Sequence, residues 1–178
     1  MKRNPRPSSS SGYLRWSTGI IAAIALLVCM VSLPRLQSYV QVNNEEDAAR
    51  SLRVLGRAGH PGDAPDLATW IASDRSLRHR FLDARVMEES GLLMQHGYLF
   101  HMQRSDGDSN RFVAWPRSTP RTGQAAFLLD ADGLMQRHAN TDGRWSGPDN
   151  RPGAHPGAYP EDLASLLSKP GWHPWVTR

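Results

Sequence analysis

The side chains best suited to bind metal ions in this sequence are its seven histidines and two short aspartate-rich stretches. No two histidines have the His-Glu-x-x-His spacing that places a pair of imidazoles on one helix face. Residues 105–110 (SDGDSN), with Asp106 and Asp108, and residues 130–133 (DADG) offer oxygen ligands but lack the later ligands of a calcium loop. An Asp-x-Gly stretch between apolar strands is typical of a hairpin turn, so we expect no metal site. The histidines are His60, His79, His96, His101, His138, His155 and His173.

Motifs for nucleophilic, acid–base or phosphate chemistry are missing from the sequence. None of the Gly-x-Ser-x-Gly, Ser-x-x-Lys, P-loop or Gly-x-Gly-x-x-Gly patterns occurs. Glu88 and Glu89 are adjacent, so their side chains diverge on a helix instead of forming a carboxylate pair. The single cysteine, Cys29, lies in an apolar run and permits no disulfide within the chain. We expect no enzyme activity and no cofactor.

Three tryptophans near the carboxyl end, Trp145, Trp172 and Trp175, lie among glycines and prolines. Aromatic rings in such a setting can form a surface that stacks on a sugar or a peptide. They can equally pin an irregular segment to a small core, which is the commoner use of such residues.

The basic charge of the chain is concentrated at its amino end. The formal net charge is +4, yet five of the 21 Lys and Arg residues and none of the 17 acidic residues lie in residues 1–42. The remainder is therefore close to neutral, which argues against a nucleic-acid partner. Residues 1–12, rich in Pro, Ser and basic side chains, are predicted to be a disordered basic leader.

Residues 16–34 carry no charged side chain and predict a transmembrane helix, because they span roughly 28 Å as a helix. Basic residues precede this stretch, so the positive-inside rule places the amino terminus in the cytoplasm and the bulk of the chain outside it. A cleaved secretory signal is the alternative, although no Ala-x-Ala-like site follows Leu33. Pro34 is predicted either to kink the helix or to end it.

The helix is predicted to continue to residue 58 as an amphipathic segment. Ala48, Leu52 and Leu55 recur at helical spacing, with acidic residues before them and arginines after them. The paired Asn43 and Asn44 favour a bend or break. The predicted long helix therefore covers residues 13–58.

The remaining chain predicts an α+β head domain at residues 59–138. Helices are expected at residues 66–73 and at residues 74–89, the second capped by Asp74. Alternating patterns then predict short antiparallel strands, which need a helix to cover their apolar face, and Leu52 and Leu55 would provide it. Residues 139–178, rich in Gly and Pro, are predicted to be irregular apart from a short helix near residues 161–168. The predicted strands are residues 97–104, 111–115, 124–130 and 134–138.

The amino-terminal helix resembles that of type IV pilins and of the pseudopilins of type II secretion. The resemblance lies in Gly12 followed by the aromatic Tyr13, an apolar run, residues 33–40 (LPRLQSYV) and residues 44–52 (NEEDAARSL). The later part resembles the small sheet of pilin-like proteins. Its matching residues are 114–116 (AWP), 122–123 (TG), Phe127 and 132–133 (DG).

The resemblance implies that a prepilin peptidase cuts between Gly12 and Tyr13 and that Pro34 is the family's helix proline. It also implies homologous pilin-like subunits as partners, bound through the apolar helix. Two residues depart from the family pattern. Ser17 stands where the family has an acid that pairs with a neighbour's new amino terminus, and Arg15 would be costly inside lipid.

The function expected from these observations is that of a membrane-anchored pilin-like subunit, a pseudopilin or minor pilin. It would be held in the inner membrane by one span and would assemble an envelope filament or secretion apparatus. The alternative is a single-pass, membrane-tethered binding module that uses the tryptophans to hold a glycan or peptide. A membrane-anchored enzyme is the least favoured hypothesis.

Overall fold

The computed structural model describes residues 10–59, 61–87, 90–104, 110–152 and 171–175. The chain forms two compact units, Met1–Tyr39 and Val40–Arg178. In the first unit the described residues are all helical. The second unit contains the end of that helix and every other described element.

The architecture is α+β, as predicted: a long amino-terminal helix packs on a seven-stranded antiparallel sheet. The strands lie side by side in chain order, and each pairs antiparallel with the next. The helices are α1 (Ser10–Ala58), α2 (Leu67–Ser73) and α3 (Arg75–Arg80). The strands are β1 (Arg85–Met87), β2 (Leu92–Gln95), β3 (Tyr98–Arg104), β4 (Asn110–Pro116), β5 (Ala126–Leu129), β6 (Met135–His138) and β7 (Trp172–Pro174).

Helix α1 is longer and more continuous than predicted. It begins at Ser10, so three residues assigned to the leader are helical, and Pro34 lies inside it instead of ending it. The break expected at Asn43 and Asn44 does not occur. Asn44 donates its amide hydrogen to the carbonyl oxygen of Thr122 (2.8 Å), so this side chain does not compete for the helix backbone.

The two short helices begin where the sequence predicted, and the first also ends at the predicted residue, Ser73, but the second is shorter than predicted. Asp66 caps α2 and Asp74 caps α3, the latter by accepting the backbone N–H groups of Ser76 (2.7 Å) and Leu77 (3.1 Å). The predicted helix from residue 74 to 89 is wrong, because α3 ends at Arg80 and β1 follows. Burial of Phe81, which meets the ring of Phe100 edge-on, fixes this change of direction.

Strands β1, β2 and β7 were missed by the sequence analysis. The turn between β2 and β3 consists of His96 (φ 45°) and Gly97 (φ 77°), a two-residue hairpin with both residues in the left-handed region. Strand β7 lies in the segment predicted to be irregular and pairs with β6 through Trp172 and His138. Strands β1 and β7 have three residues each, too few to show a period of two.

The sheet buries apolar side chains on both faces. One face packs on α1, whose Ala48, Ala49, Leu52 and Leu55 are each at most 2% exposed, as predicted for the two leucines. The opposite face forms a second cluster. Its members are Leu92, Leu99, Val113, Trp115, Ala126, Leu128, Trp145 and Trp172.

Helix α1 is also joined to the loop before β5 by polar contacts, and Glu45 makes the largest number of them. Its Oε1 accepts hydrogen bonds from the backbone N–H groups of Gln124 (2.9 Å) and Ala125 (3.1 Å). Its Oε2 accepts one from Nη2 of Arg137 (3.0 Å), a residue of β6. One carboxylate therefore satisfies two backbone donors and one cation.

A second polar link lies two residues further along α1, at Asp47. Asp47 accepts from Arg80 (3.2 Å) and faces Nδ1 of His96 (2.6 Å), while the other ring nitrogen of His96 faces Asp83. The side chain of Gln95 donates to Asp83 (2.7 Å), and this hydrogen bond, aided by the charge of His96, lowers the pKa of Asp83. These contacts connect α1 to the β2–β3 turn and to the segment after α3.

Replacing Glu45 by alanine should lower the free energy of unfolding by about 2 to 4 kcal/mol, because two backbone donors and Arg137 lose their acceptor. Urea unfolding of the full chain in detergent micelles, followed by tryptophan fluorescence, measures the change. The matched control is Glu46→Ala, at the exposed neighbouring position, which should cost less than about 0.5 kcal/mol. Equal losses in the two variants would contradict the assigned role.

Candidate membrane and assembly surface

The first half of α1 exposes apolar side chains in every direction. Within Thr18–Ala58 lies one stretch long and apolar enough to cross a membrane, and none of it is buried. Leu26, Leu27 and Val28 are consecutive, so they point about 100° apart around the helix, and all are at least 55% exposed. This apolar part of α1 has no polar side that could face water.

The dimensions of this stretch match the hydrocarbon core of a bilayer. From residue 18 to residue 39 the helix rises about 33 Å, against a hydrocarbon thickness of about 30 Å. Arg35 is the only charged residue in this stretch, and it lies near the carboxyl end, followed by the exposed Tyr39. A charge and an aromatic ring at that position are typical of a membrane interface.

The exposed side chains demand an apolar partner on energetic grounds. Each large aliphatic side chain gains about 1.5 to 3 kcal/mol when it leaves water. Nine exposed leucines, isoleucines and valines lie in residues 18–39. Lipid or other apolar helices are the environments that satisfy all sides of such a helix at once.

The predicted processing site lies at the beginning of α1. The structure places Gly12 and Tyr13 in the first helical turn, with Arg15 and Ser17 in the next. Cleavage between Gly12 and Tyr13 remains a prediction. Pro34 is the one proline inside α1, and its carbonyl oxygen accepts a hydrogen bond from the hydroxyl of Ser38 (3.0 Å).

The structure separates the three tryptophans that the sequence grouped as a possible ligand surface. Trp145 (3% exposed) and Trp172 (4% exposed) pack together, with ring centroids 5.4 Å apart, in the second core cluster. Trp175 lies on the opposite face of the sheet, edge-on to Phe127 and under the guanidinium of Arg137. Burial leaves Trp145 and Trp172 little ring surface to offer a ligand, which favours the packing interpretation.

His138 belongs to the same cluster as Trp145 and Trp172. Its ring centroid lies 4.6 Å from that of Trp145 and 5.4 Å from that of Trp172. Its Nδ1 accepts a hydrogen bond from the backbone N–H of Asn140 (2.8 Å), which requires that nitrogen to be unprotonated. Burial, with a smaller effect from the charge of Arg144, lowers the pKa of His138.

Residues 130–133, one of the two stretches weighed as metal sites, have a structural use. Asp130 accepts from Nε of Arg111 (3.0 Å) and from the backbone of Ala131 (2.9 Å), and its carbonyl oxygen closes the turn to Gly133. The DADG stretch is thus a hairpin turn. Across the described residues, no group of three or more His, Cys, Asp or Glu side chains is placed to hold one metal ion. His60, Glu88, Glu89, Asp106, Asp108, His155 and residues 161–168 lie outside the described part of the chain.

Comparisons of the chain with models of protein families, with curated proteins and with solved structures found no match. The architecture itself is pilin-like, since a long amino-terminal apolar helix packs on an antiparallel sheet. The contacts of Glu45, Asp47 and His96 were not identified from the sequence, because their partners are distant along the chain.

The lowered pKa of His138 makes the head less stable in mild acid. Because the folded state holds the imidazole neutral, the unfolded state binds more protons, and stability falls as the pH drops below about 6.5. His138→Gln should therefore weaken the loss of melting temperature between pH 7.5 and pH 5, roughly the range in which histidine titrates. His101, whose pKa burial also lowers, should retain part of the slope. An unchanged slope in His138→Gln would contradict this account.

Proposed function

We propose that this chain is a membrane-anchored, pilin-like subunit that acts in the assembly of an envelope filament or secretion apparatus. The observation that carries the proposal is the composition of α1. Its first half exposes apolar side chains on all sides, and its second half supplies core residues to an α+β head. A protein with such a helix can place the head beside a bilayer or beside a bundle of like helices.

The distribution of charge supports an amino terminus in the cytoplasm and a head outside it. Lys2, Arg3, Arg6 and Arg15 precede the apolar stretch, whereas Arg35 alone follows it closely. By the positive-inside rule this arrangement retains the amino end on the cytoplasmic side of the inner membrane.

The proposed partners are homologous subunits that bind through the apolar part of α1. Ser17 cannot form the buried carboxylate–ammonium pair that would fix the register between neighbouring helices. An accessory or initiating subunit, which needs fewer copies of that contact, suits this chain better than a major filament subunit. The assembly role requires no chemistry of the chain's own.

Processing by a prepilin peptidase between Gly12 and Tyr13 forms part of the proposal. It would remove Lys2, Arg3 and Arg6 and leave Arg15 near the new amino terminus. The tethered binding module is not advanced as a second function, because Trp145 and Trp172 are buried.

Leu27→Arg should release the chain from membranes, because a cation at the centre of a single span costs roughly 2.5 to 3.5 kcal/mol or more. Fractionation of cells into membrane and soluble material measures the change. The matched control is Leu82→Arg, at a position in the head that is 75% exposed, and it should stay with the membranes.

The membrane-bound parent chain from the same experiment should have the mass of residues 13–178. A Leu27→Arg variant retained like the parent would refute the anchor. A parent chain of full mass would refute the processing step alone.

A further inference from the structure

Residues 117–123 (RSTPRTG), the first part of the loop between β4 and β5, carry two exposed arginines and no acidic residue. We call this part the proximal loop. Arg117 and Arg121 flank the exposed Pro120 within it. Among the described residues, neither guanidinium group has a hydrogen bond or an ion pair.

The proximal loop is hydrogen-bonded to α1 near Val40, where the second compact unit begins. Gln41 donates to the carbonyl oxygen of Pro120 (2.6 Å), and Asn44 donates to that of Thr122 (2.8 Å). Val40 and Val42, on either side of Gln41, are the last exposed large apolar residues of α1 and are 49% and 54% exposed. The loop is therefore bonded to α1 at Gln41, the residue between the last two exposed large apolar side chains of the helix.

Neighbouring acids do not neutralise the loop. Glu45 is engaged by the backbone of Gln124 and Ala125 and by Arg137, so its charge is already matched. Asp142, on a nearby turn, pairs with Arg144 (2.7 Å). Within the described part of the chain, no carboxylate forms an ion pair with Arg117 or Arg121.

The loop is also ordered before any ligand arrives. The hydroxyl of Thr122 donates to the carbonyl oxygen of Ser118 (3.2 Å) and accepts a hydrogen bond from the backbone N–H of Ser118 (3.1 Å). The backbone N–H of Thr119 donates to the hydroxyl of Ser146 (3.0 Å). Because the backbone is already fixed, binding costs mainly the conformational entropy of the two arginine side chains.

We propose that the proximal loop rests on an anionic phospholipid surface, with Arg117 and Arg121 binding the headgroup phosphates. This inference rests on the proposed function, since the bilayer position follows from the anchor. A guanidinium matches the geometry of a phosphate group, and charges within a Debye length of about 8 to 10 Å of an anionic surface are attracted to it. The contact would fix the tilt of the head over the membrane.

The test is arginine-selective labelling with phenylglyoxal, read by mass spectrometry, on the full chain in lipid nanodiscs. Discs containing phosphatidylglycerol should slow modification of Arg117 and Arg121 about fivefold relative to phosphatidylcholine discs. High salt should abolish the protection. Arg53 and Arg57, further along α1, should react equally in both kinds of disc.

A variant pair supplies the matched control. Arg117→Gln/Arg121→Gln should lose the rise in melting temperature that anionic discs give over zwitterionic ones. The control variant Arg53→Gln/Arg57→Gln removes an equal amount of charge from a later part of α1 and should keep that rise in melting temperature.

Three outcomes overturn the inference in distinguishable ways. A chain that does not enter discs refutes the anchor and the loop contact together. A chain that enters discs but shows labelling independent of lipid charge refutes the loop contact alone. Equal protection in phosphatidylcholine discs by added inorganic phosphate would mean that the loop recognises free phosphate and not a lipid surface.

Discussion

The apolar part of α1, residues 18–39, must be removed from water, and the rest of this molecule depends on that constraint. Leu26, Leu27 and Val28 point in three directions around the apolar part of α1, so no rotation of the helix could bury all of them in a small head. The same helix then turns amphipathic and buries Leu52 and Leu55 under the sheet. One element therefore serves two environments, and the transition occurs over a few residues around Gln41.

The polar contacts of α1 are concentrated just beyond that transition. Gln41, Asn44 and Glu45 bind the loop before β5, and Asp47 binds the β2–β3 turn through His96. Apolar contacts alone fix a helix on a sheet only loosely along its axis, because they are non-directional. Directional hydrogen bonds to backbone donors and acceptors fix the axial position of this part of α1 on the sheet.

Sequence patterns predicted the elements whose signals are local. The spacing of Leu52 and Leu55, the capping residue Asp74 and the alternation in β3 and β4 all identified their elements. The early end of α3 and the strand β7 escaped because burial of Phe81 and pairing with β6 override weak local preferences. Glu45 was noted only as a charge in the first turn of the amphipathic segment. Its partners lie 79 and 80 residues away, a separation that no local pattern reveals.

The central claim is that residues 18–39 lie in a bilayer while the head folds outside it. Alkaline carbonate extraction of membranes from cells that make the unaltered chain tests this claim. Mass spectrometry then gives the molecular mass of the chain in the membrane fraction and in the supernatant. The account predicts a chain that retains residues 18–39 and stays with the membrane sheets. A chain released into the supernatant with those residues intact would contradict it, as would a released head from which they had been cut.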